Sequence, residues 1–357
     1  KAPFKIIINA KINNHPINLL YDTGAQHIYL FTGFANKIGI KHNEINTGTQ
    51  LKPWEVPLKQ SEECLISIGD SEFKSSINIL DVPVNLFKNI DGILGWNNIE
   101  ENLSVMVDAD NRKIQFYNKL PVFFTDGVSY DMVPNPYNWL IIRVETKSGP
   151  LNVLIDTGSD DGISLDKKNW EDIISITTPI TLKGSFFPAF GFFVSKKTKL
   201  DRFTLGNLII QDVPVQQFAP IEEKQPYYNI RIGFVGLSRL LLVIQYKQRK
   251  VLIKQNQNPH LSYEYNRAGV IFIPNNLDSP ELLAHVLPNS PAQKAGILDG
   301  DELTMINDLD VTKWQDNPSI LPLKRFWEMP EGTIHNLKLK RNNKPISVQI
   351  TLQDILH

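Results

Sequence analysis

The chain of 357 residues contains one cysteine, Cys64. It can therefore close no internal disulfide and build no cysteine-rich zinc site, and Cys64 reads as a small core or strand residue. Long apolar runs are also missing: none reaches the roughly 18 residues that a membrane-spanning helix needs. Neither sign of charge is in excess. The formal net charge is -1 and there is no lysine or arginine block, so neither nucleic acid nor an acidic membrane surface is an expected partner. The seven histidines, His15, His27, His42, His260, His285, His335 and His357, are scattered. None belongs to a His-Glu-x-x-His helix, which removes that route to a zinc hydrolase. No Gly-x-Ser-x-Gly elbow and no Gly-x-x-x-x-Gly-Lys loop occurs, so a serine nucleophile and a phosphate cradle are unsupported. No cofactor or metal is expected.

What the chain does contain is Asp-Thr-Gly twice, at Asp22-Thr23-Gly24 and Asp156-Thr157-Gly158, each after an apolar run, Ile17 to Tyr21 and Leu151 to Ile155. Sliding the chain so that Asp156 falls on Asp22 also lays Leu140-Ile141-Ile142 on Ile6-Ile7-Ile8, Pro150 on Pro16 and Asn152 on Asn18. Further matches keep their order: Ile79 to Val84 with Ile210 to Val215, Gly92-Ile93-Leu94-Gly95 with Gly233-Phe234-Val235-Gly236, and Arg112-Lys113-Ile114 with Arg249-Lys250-Val251. Ordered matches of this kind indicate an internal duplication.

Each copy has the texture of β structure, with short alternating or wholly apolar runs between turns. Asn13 to Pro16 and Lys147 to Pro150 read as hairpin connections, as do Gly69-Asp70 and Gly206-Asn207. Helices are expected to be short: Gly33 to Ile38, Lys167 to Ile174, and about a turn after Gly95 and after Gly236. Ser195-Lys196-Lys197-Thr198-Lys199 reads as a solvated hairpin turn. Gln255 to His260 is polar and aperiodic and reads as a linker. Beyond it lie strand-like runs Val270 to Ile273, Leu282 to Leu287 and Leu303 to Ile306. A short helical piece ends at Gly296, and a closing strand pair turns at Asn342-Asn343. The expected division is 1–119, 120–255 and 261–357.

Two carboxylates held face to face cannot both ionise readily, so one proton is shared. The ionised member can take a proton from water while the protonated one donates to a carbonyl oxygen. Gly24 and Gly158 let the backbone bend tightly beside the carboxylates, and the Thr23 and Thr157 hydroxyls can cross-link the two loops. The next position differs, Ala25 against Ser159. The Ser159 hydroxyl is expected to stabilise the charged form of Asp156, leaving Asp22 with the higher proton affinity. Asp160 and Asp161 read as solvated, and His27 as a strand position near Asp22.

These two triplets, with the later Ile93-Leu94-Gly95 and Phe234-Val235-Gly236, resemble the aspartic proteases. The first copy, Asp-Thr-Gly-Ala, is similar to the retroviral type, and two lobes in one chain are similar to pepsin. The resemblance covers about residues 1–255 and implies a mostly β fold of two pseudo-two-fold-related acid-protease β-barrel lobes. It implies catalytic Asp22 and Asp156, with Thr23, Gly24, Ala25, Thr157, Gly158 and Ser159 supporting them. The activity implied is endopeptidase hydrolysis of a peptide or protein substrate in a bacterial single-chain enzyme. By position, flaps fall near Thr47 to Trp54 and Lys183 to Gly191. Trp54, Phe186, Phe187 and Phe190 are candidates for the cleft, while a hairpin with core-facing phenylalanines is the other reading of the second stretch.

Ser290-Pro291-Ala292, Ala295-Gly296 and Gly300-Asp301, followed by Leu303 to Leu309, resemble a bacterial PDZ domain, a small α+β unit that binds an extended peptide at a sheet edge. Ala268, Gly269, Val270 and Ile271 stand where its peptide-binding loop and strand are expected. Two roles are open for it, peptide docking and packing on the protease. The start at Lys1-Ala2-Pro3 is consistent with a removed targeting segment, so a periplasmic or cell-surface location is the expectation. A non-catalytic peptide-binding protein with the same fold is the alternative function. A two-carboxylate glycosidase is remote, because its spacing does not call for a two-fold repeat.

Overall fold

The computed structural model describes residues 5–44, 59–81, 89–96, 104–108, 111, 113–117, 119, 124, 127–187, 191–256, 263–276, 279–317 and 320–356. Trp54, Phe190, the stretch 47–54 and linker residues 257–260 lie outside them.

Seven strands form the first sheet: β1 (Ile7–Ile12), β2 (His15–Asp22), β3 (Ile28–Phe31), β4 (His42–Glu44), β5 (Lys59–Ile68), β6 (Ser71–Leu80) and β7 (Gly92–Gly95), with α1 (Thr32–Lys37) after β3. Then come β8 (Ser104–Asp108), β9 (Lys113–Tyr117) and β10 (Val128–Asp131). The second sheet holds β11 (Ile141–Thr146), β12 (Gly149–Asp156), β13 (Ile163–Leu165), β14 (Thr181–Phe187), β15 (Gly191–Leu205), β16 (Leu208–Gln217) and β17 (Ile230–Gly233). Helix α2 (Lys167–Ile173) follows β13, and α3 (Phe234–Leu237) precedes β18 (Leu240–Gln245) and β19 (Lys250–Gln255).

The two seven-stranded sheets have the same order, β1-β2-β7-β3-β6-β5-β4 and β11-β12-β17-β13-β16-β15-β14. The alternation is direct in β1, where Ile8, Ala10 and Ile12 point inward while Asn9 and Lys11 are exposed. In β2, Ile17, Leu19 and Tyr21 are buried on one face and Leu20 on the other, as expected for a central strand. Asn13 and Asn14 turn the first hairpin at φ 47° and 68°, a left-handed conformation that asparagine tolerates. A third sheet, β10-β19-β18-β8-β9, joins the halves through the antiparallel pair β8 and β18. One apolar core runs through all three, from Ile8 to Ile253.

Strand pairing corrects two of the sequence matches. Gly95 pairs with Asp22 and Gly233 with Asp156, so Ile93-Leu94-Gly95 corresponds to Arg231-Ile232-Gly233, three residues before the matched Phe234-Val235-Gly236. The latter forms α3, which contains Gly236 rather than following it. Likewise Ile79 pairs with Leu30 while Gln217 pairs with Leu165, so Ile79 corresponds to Gln217 and not to Ile210. The run Ser195 to Lys199 is no turn. It lies inside β15, paired with β14 on one side and, at Lys197 to Lys199, with β16 on the other.

The last sheet comprises β20 (Val270–Ile273), β21 (Leu282–Val286), β22 (Glu302–Ile306), β23 (Leu309–Asp310), β24 (Ile334–Arg341) and β25 (Lys344–Thr351), with α4 (Pro291–Lys294) and α5 (Lys324–Trp327). Its core is separate, from Ala268 to Leu352. It sits against the β14–β15 hairpin. Thr181 Oγ1 donates to Asn266 O at 2.6 Å and Asn266 Nδ2 to Leu182 O at 3.1 Å. The Phe192 ring meets Trp314 edge-on at 6.1 Å. Buried Asn266 also donates to Val270 O and accepts from the amides of Ala268 and Gly269. Asn266→Ala is therefore expected to cost about 2–4 kcal/mol, since it leaves several buried polar groups without partners. Urea unfolding should show that loss in the transition of this C-terminal unit.

Candidate active site

Asp22 ends β2 and Asp156 ends β12, each beside a glycine of the neighbouring parallel strand. Those glycines leave room for the loops that follow the aspartates. A Cβ on Gly95 would lie 2.7 Å from Ala25 O, and one on Gly233 would lie 2.6 Å from Asp161 O. The loops lock together through buried threonines. Thr23 N donates to Thr157 Oγ1 at 3.1 Å and Thr157 N to Thr23 Oγ1 at 3.0 Å. Each hydroxyl then donates across the pseudo-dyad, Thr23 to Ile155 O at 2.5 Å and Thr157 to Tyr21 O at 2.8 Å.

This grip brings each glycine against the opposite carboxyl. A Cβ on Gly158 would overlap Asp22 Cγ, and one on Gly24 would lie 3.0 Å from Asp156 Cγ. Burial, and next the Asp156 charge, hold Asp22 well above the ordinary carboxylate range, with the Gly24 amide opposing them. The amide donors are unequal. Asp22 Oδ1 receives Gly24 N at 2.7 Å, whereas Asp156 Oδ1 receives both Gly158 N and Ser159 N at 3.0 Å. The inequality of donors thus lies in the Ser159 backbone amide. The Ser159 hydroxyl accepts from Asp161 N at 3.3 Å instead of reaching Asp156, which corrects the role expected for it. The Ala25 amide turns to the main-chain oxygen of Asp22.

Asp161 is not solvated, whereas Asp160 stays partly exposed and is held by two lysines. Asp161 is buried, contacts Lys183 Nζ, and receives Arg231 Nη2 at 2.7 Å and Gln216 Nε2 at 2.9 Å. Asp160 lies 3.5 Å from Lys183 Nζ and 3.2 Å from Lys324 Nζ of α5. Lys183 holds the Asp160 carboxyl far below its usual range, while burial pushes Lys183 down to about 8. Buried Arg231 lies between this group and the dyad. Its Nη1 is 2.8 Å from Glu222 Oε1, and its Nε is 3.8 Å from Asp156 Oδ2. Arg231 and Glu222 were missed by sequence reasoning, and Lys183 was read only as the first residue of a flap stretch. The available signal was an arginine in the apolar slot two residues before Gly233, hidden by aligning the wrong glycine.

The aromatic candidates separate. Phe187 covers Arg231, its ring centre 5.9 Å from the guanidinium carbon. Phe186 meets Phe192 at a tilt of 53°, ring centres 4.9 Å apart, and Phe192 in turn meets Trp314 of the C-terminal unit. The exposed His27 ring faces Tyr29. Ala268 and Val270 are core residues of the C-terminal unit, and Ile271 abuts the position of Gly184 on β14. Gly269 adopts φ 67°. The amides of Ala268 and Gly269 are both bonded to Asn266 Oδ1, at 2.9 and 3.0 Å.

Residues 2–120 match the family model described as Retroviral aspartyl protease. That match supports an aspartic protease relationship, and with it a protease hydrolase, over the first third of the chain. No curated protein matches the chain.

Proposed function

We propose that the chain is an aspartic endopeptidase in which Asp22 and Asp156 activate one water. The observation that carries this reading is the threonine grip, which holds two part-buried carboxyls against each other's glycines. Asp22 holds the shared proton and donates it toward the scissile carbonyl oxygen. Asp156 takes a proton from water as the water oxygen bonds to the carbonyl carbon. The tetrahedral diol then collapses: the carbon–nitrogen bond breaks, the amine receives the proton from Asp156, and a diol hydroxyl proton returns to Asp22. Residues 1–119 and 120–255 are the two lobes in this reading, each donating one acid.

Residues 261–357 are, in the same proposal, a PDZ-like unit. The bonds from Asn266 to the loop amides and to Leu182 favour a role in holding the β14–β15 hairpin over capture of a free peptide terminus. Unstructured casein is the test substrate, incubated from about pH 3 to about pH 7 with and without a statine-containing inhibitor. Hydrolysis that the inhibitor blocks and Asp156→Asn eliminates is expected. Hydrolysis that survives the substitution overturns the assignment, and inhibitor binding without turnover points to a non-catalytic peptide binder.

A further inference from the structure

The two halves share a fold but not a chemistry beside their aspartates. In the first sheet, one row across β6, β3 and β7 reads Asn78, Tyr29 and Ile93. The corresponding row across β16, β13 and β17 reads Gln216, Ser164 and Arg231. Ile93 packs in an apolar cluster with Leu20 and Tyr29, so the fold does not require a charge at this position. In the second half, the small Ser164 leaves space for the guanidinium and accepts from Nη2 at 3.3 Å. Burying an arginine with two carboxylates in place of such an apolar cluster is not in itself stabilising, so the second half's exception calls for another reason.

We propose that Arg231 is a positioning residue of the dyad, pinned by Glu222 and Asp161 so that its Nε–H faces Asp156 and its charge favours the singly ionised pair. This rests on the endopeptidase reading above. Two of its nitrogens are taken up by Glu222 and Asp161, and its buried Nε–H, without a protein hydrogen-bond partner, lies 3.8 Å from Asp156 Oδ2. Burial works against the Arg231 charge, but Glu222 and then Asp156 outweigh it, leaving the guanidinium more firmly protonated than usual. The other groups that act on it are Tyr228 and Asp160, with Lys183 and Phe187 on β14. The Glu222 carboxylate accepts Ala219 N at 3.1 Å, which anchors the pin to the backbone.

A positive charge beside the dyad favours its singly ionised form, so removing it makes the anion easier to protonate. Arg231→Gln, which keeps length and N–H donors, is expected to move the acid limb of kcat/KM up by about one pH unit, a tenfold change in proton affinity. Arg231→Lys should restore the wild-type limb to within about 0.3 unit. If Arg231→Gln does not fold, the double variant Arg231→Gln, Glu222→Gln removes one charge of each sign and leaves Asp161 paired with Lys183; because the lost cation is the member with a nitrogen 3.8 Å from Asp156, the limb is still expected to move up, by less than in the single variant. Carbon-13 NMR titration of the dyad carboxyls reads the same shift without turnover, so loss of the peptidase reading does not remove the test. A folded neutral variant whose acid limb and carboxyl titration coincide with wild type overturns the proposal. A lower kcat/KM with an unmoved limb also overturns it, since a purely structural role gives that result.

Discussion

Asp22→Asn is expected to lower peptide hydrolysis by at least about a thousandfold, the scale of losing both acid catalysis and the charge arrangement around the reacting carbonyl. The same substitution should make the protein more stable at neutral pH. Asp22 is held well above its ordinary value by burial and by Asp156, so in the folded state it keeps a proton that the unfolded chain releases above about pH 4. The folded state binds more protons across that window, and its stability therefore falls as pH rises from the unfolded value to the folded one. Each unit of separation is worth about 1.4 kcal/mol. Asparagine cannot ionise and escapes this loss. Thermal unfolding should give similar midpoints for the two proteins at about pH 3.5 and a higher midpoint for the variant at about pH 7. Parallel curves across the range would show that Asp22 ionises normally in the fold.

The pairing of the aspartates was legible because Asp-Thr-Gly after an apolar strand is a local signal, and a duplication places both copies at equivalent positions. The short helices α1 and α2, the Asn13-Asn14 turn and the strand order after residue 268 were legible for the same reason, since periodicity and turn chemistry act over a few residues. The electrostatics were not. Which amide reaches Asp156 depends on backbone direction one residue past the glycine, so the asymmetry was anticipated with the wrong atom of Ser159. Asp160 and Asp161 look like solvated carboxylates until Lys183, Lys324 and Arg231 converge from β14, α5 and β17. The lysines of Ser195 to Lys199 misled in the same way. Lys197 is half-buried and reaches Glu264 O, while Lys199 pairs with Asp212 at 3.4 Å, so a polar run becomes the middle of a long strand. Contacts between residues far apart in sequence leave no trace in periodicity.

Thr157→Val is the sharpest test of what holds the two acids together. The Thr157 hydroxyl accepts from Thr23 N and donates to Tyr21 O, both buried, while Thr23 makes the mirror-image pair with Thr157 N and Ile155 O. Valine keeps the shape and removes the oxygen, leaving an amide and a carbonyl without partners at the interface of the halves. That is expected to cost about 2–4 kcal/mol in urea unfolding. It should also lower kcat by roughly 10- to 100-fold, because the spacing of the carboxyls is no longer fixed. Thr157→Ser, which retains the hydroxyl, should recover most of both. Because the two threonines form one network, Thr23→Val with Thr157→Val should cost less than the two single losses together. Strict additivity, or a valine variant with wild-type kcat, would mean that the grip does not set the distance between the acids and that the core beneath β2 and β12 does.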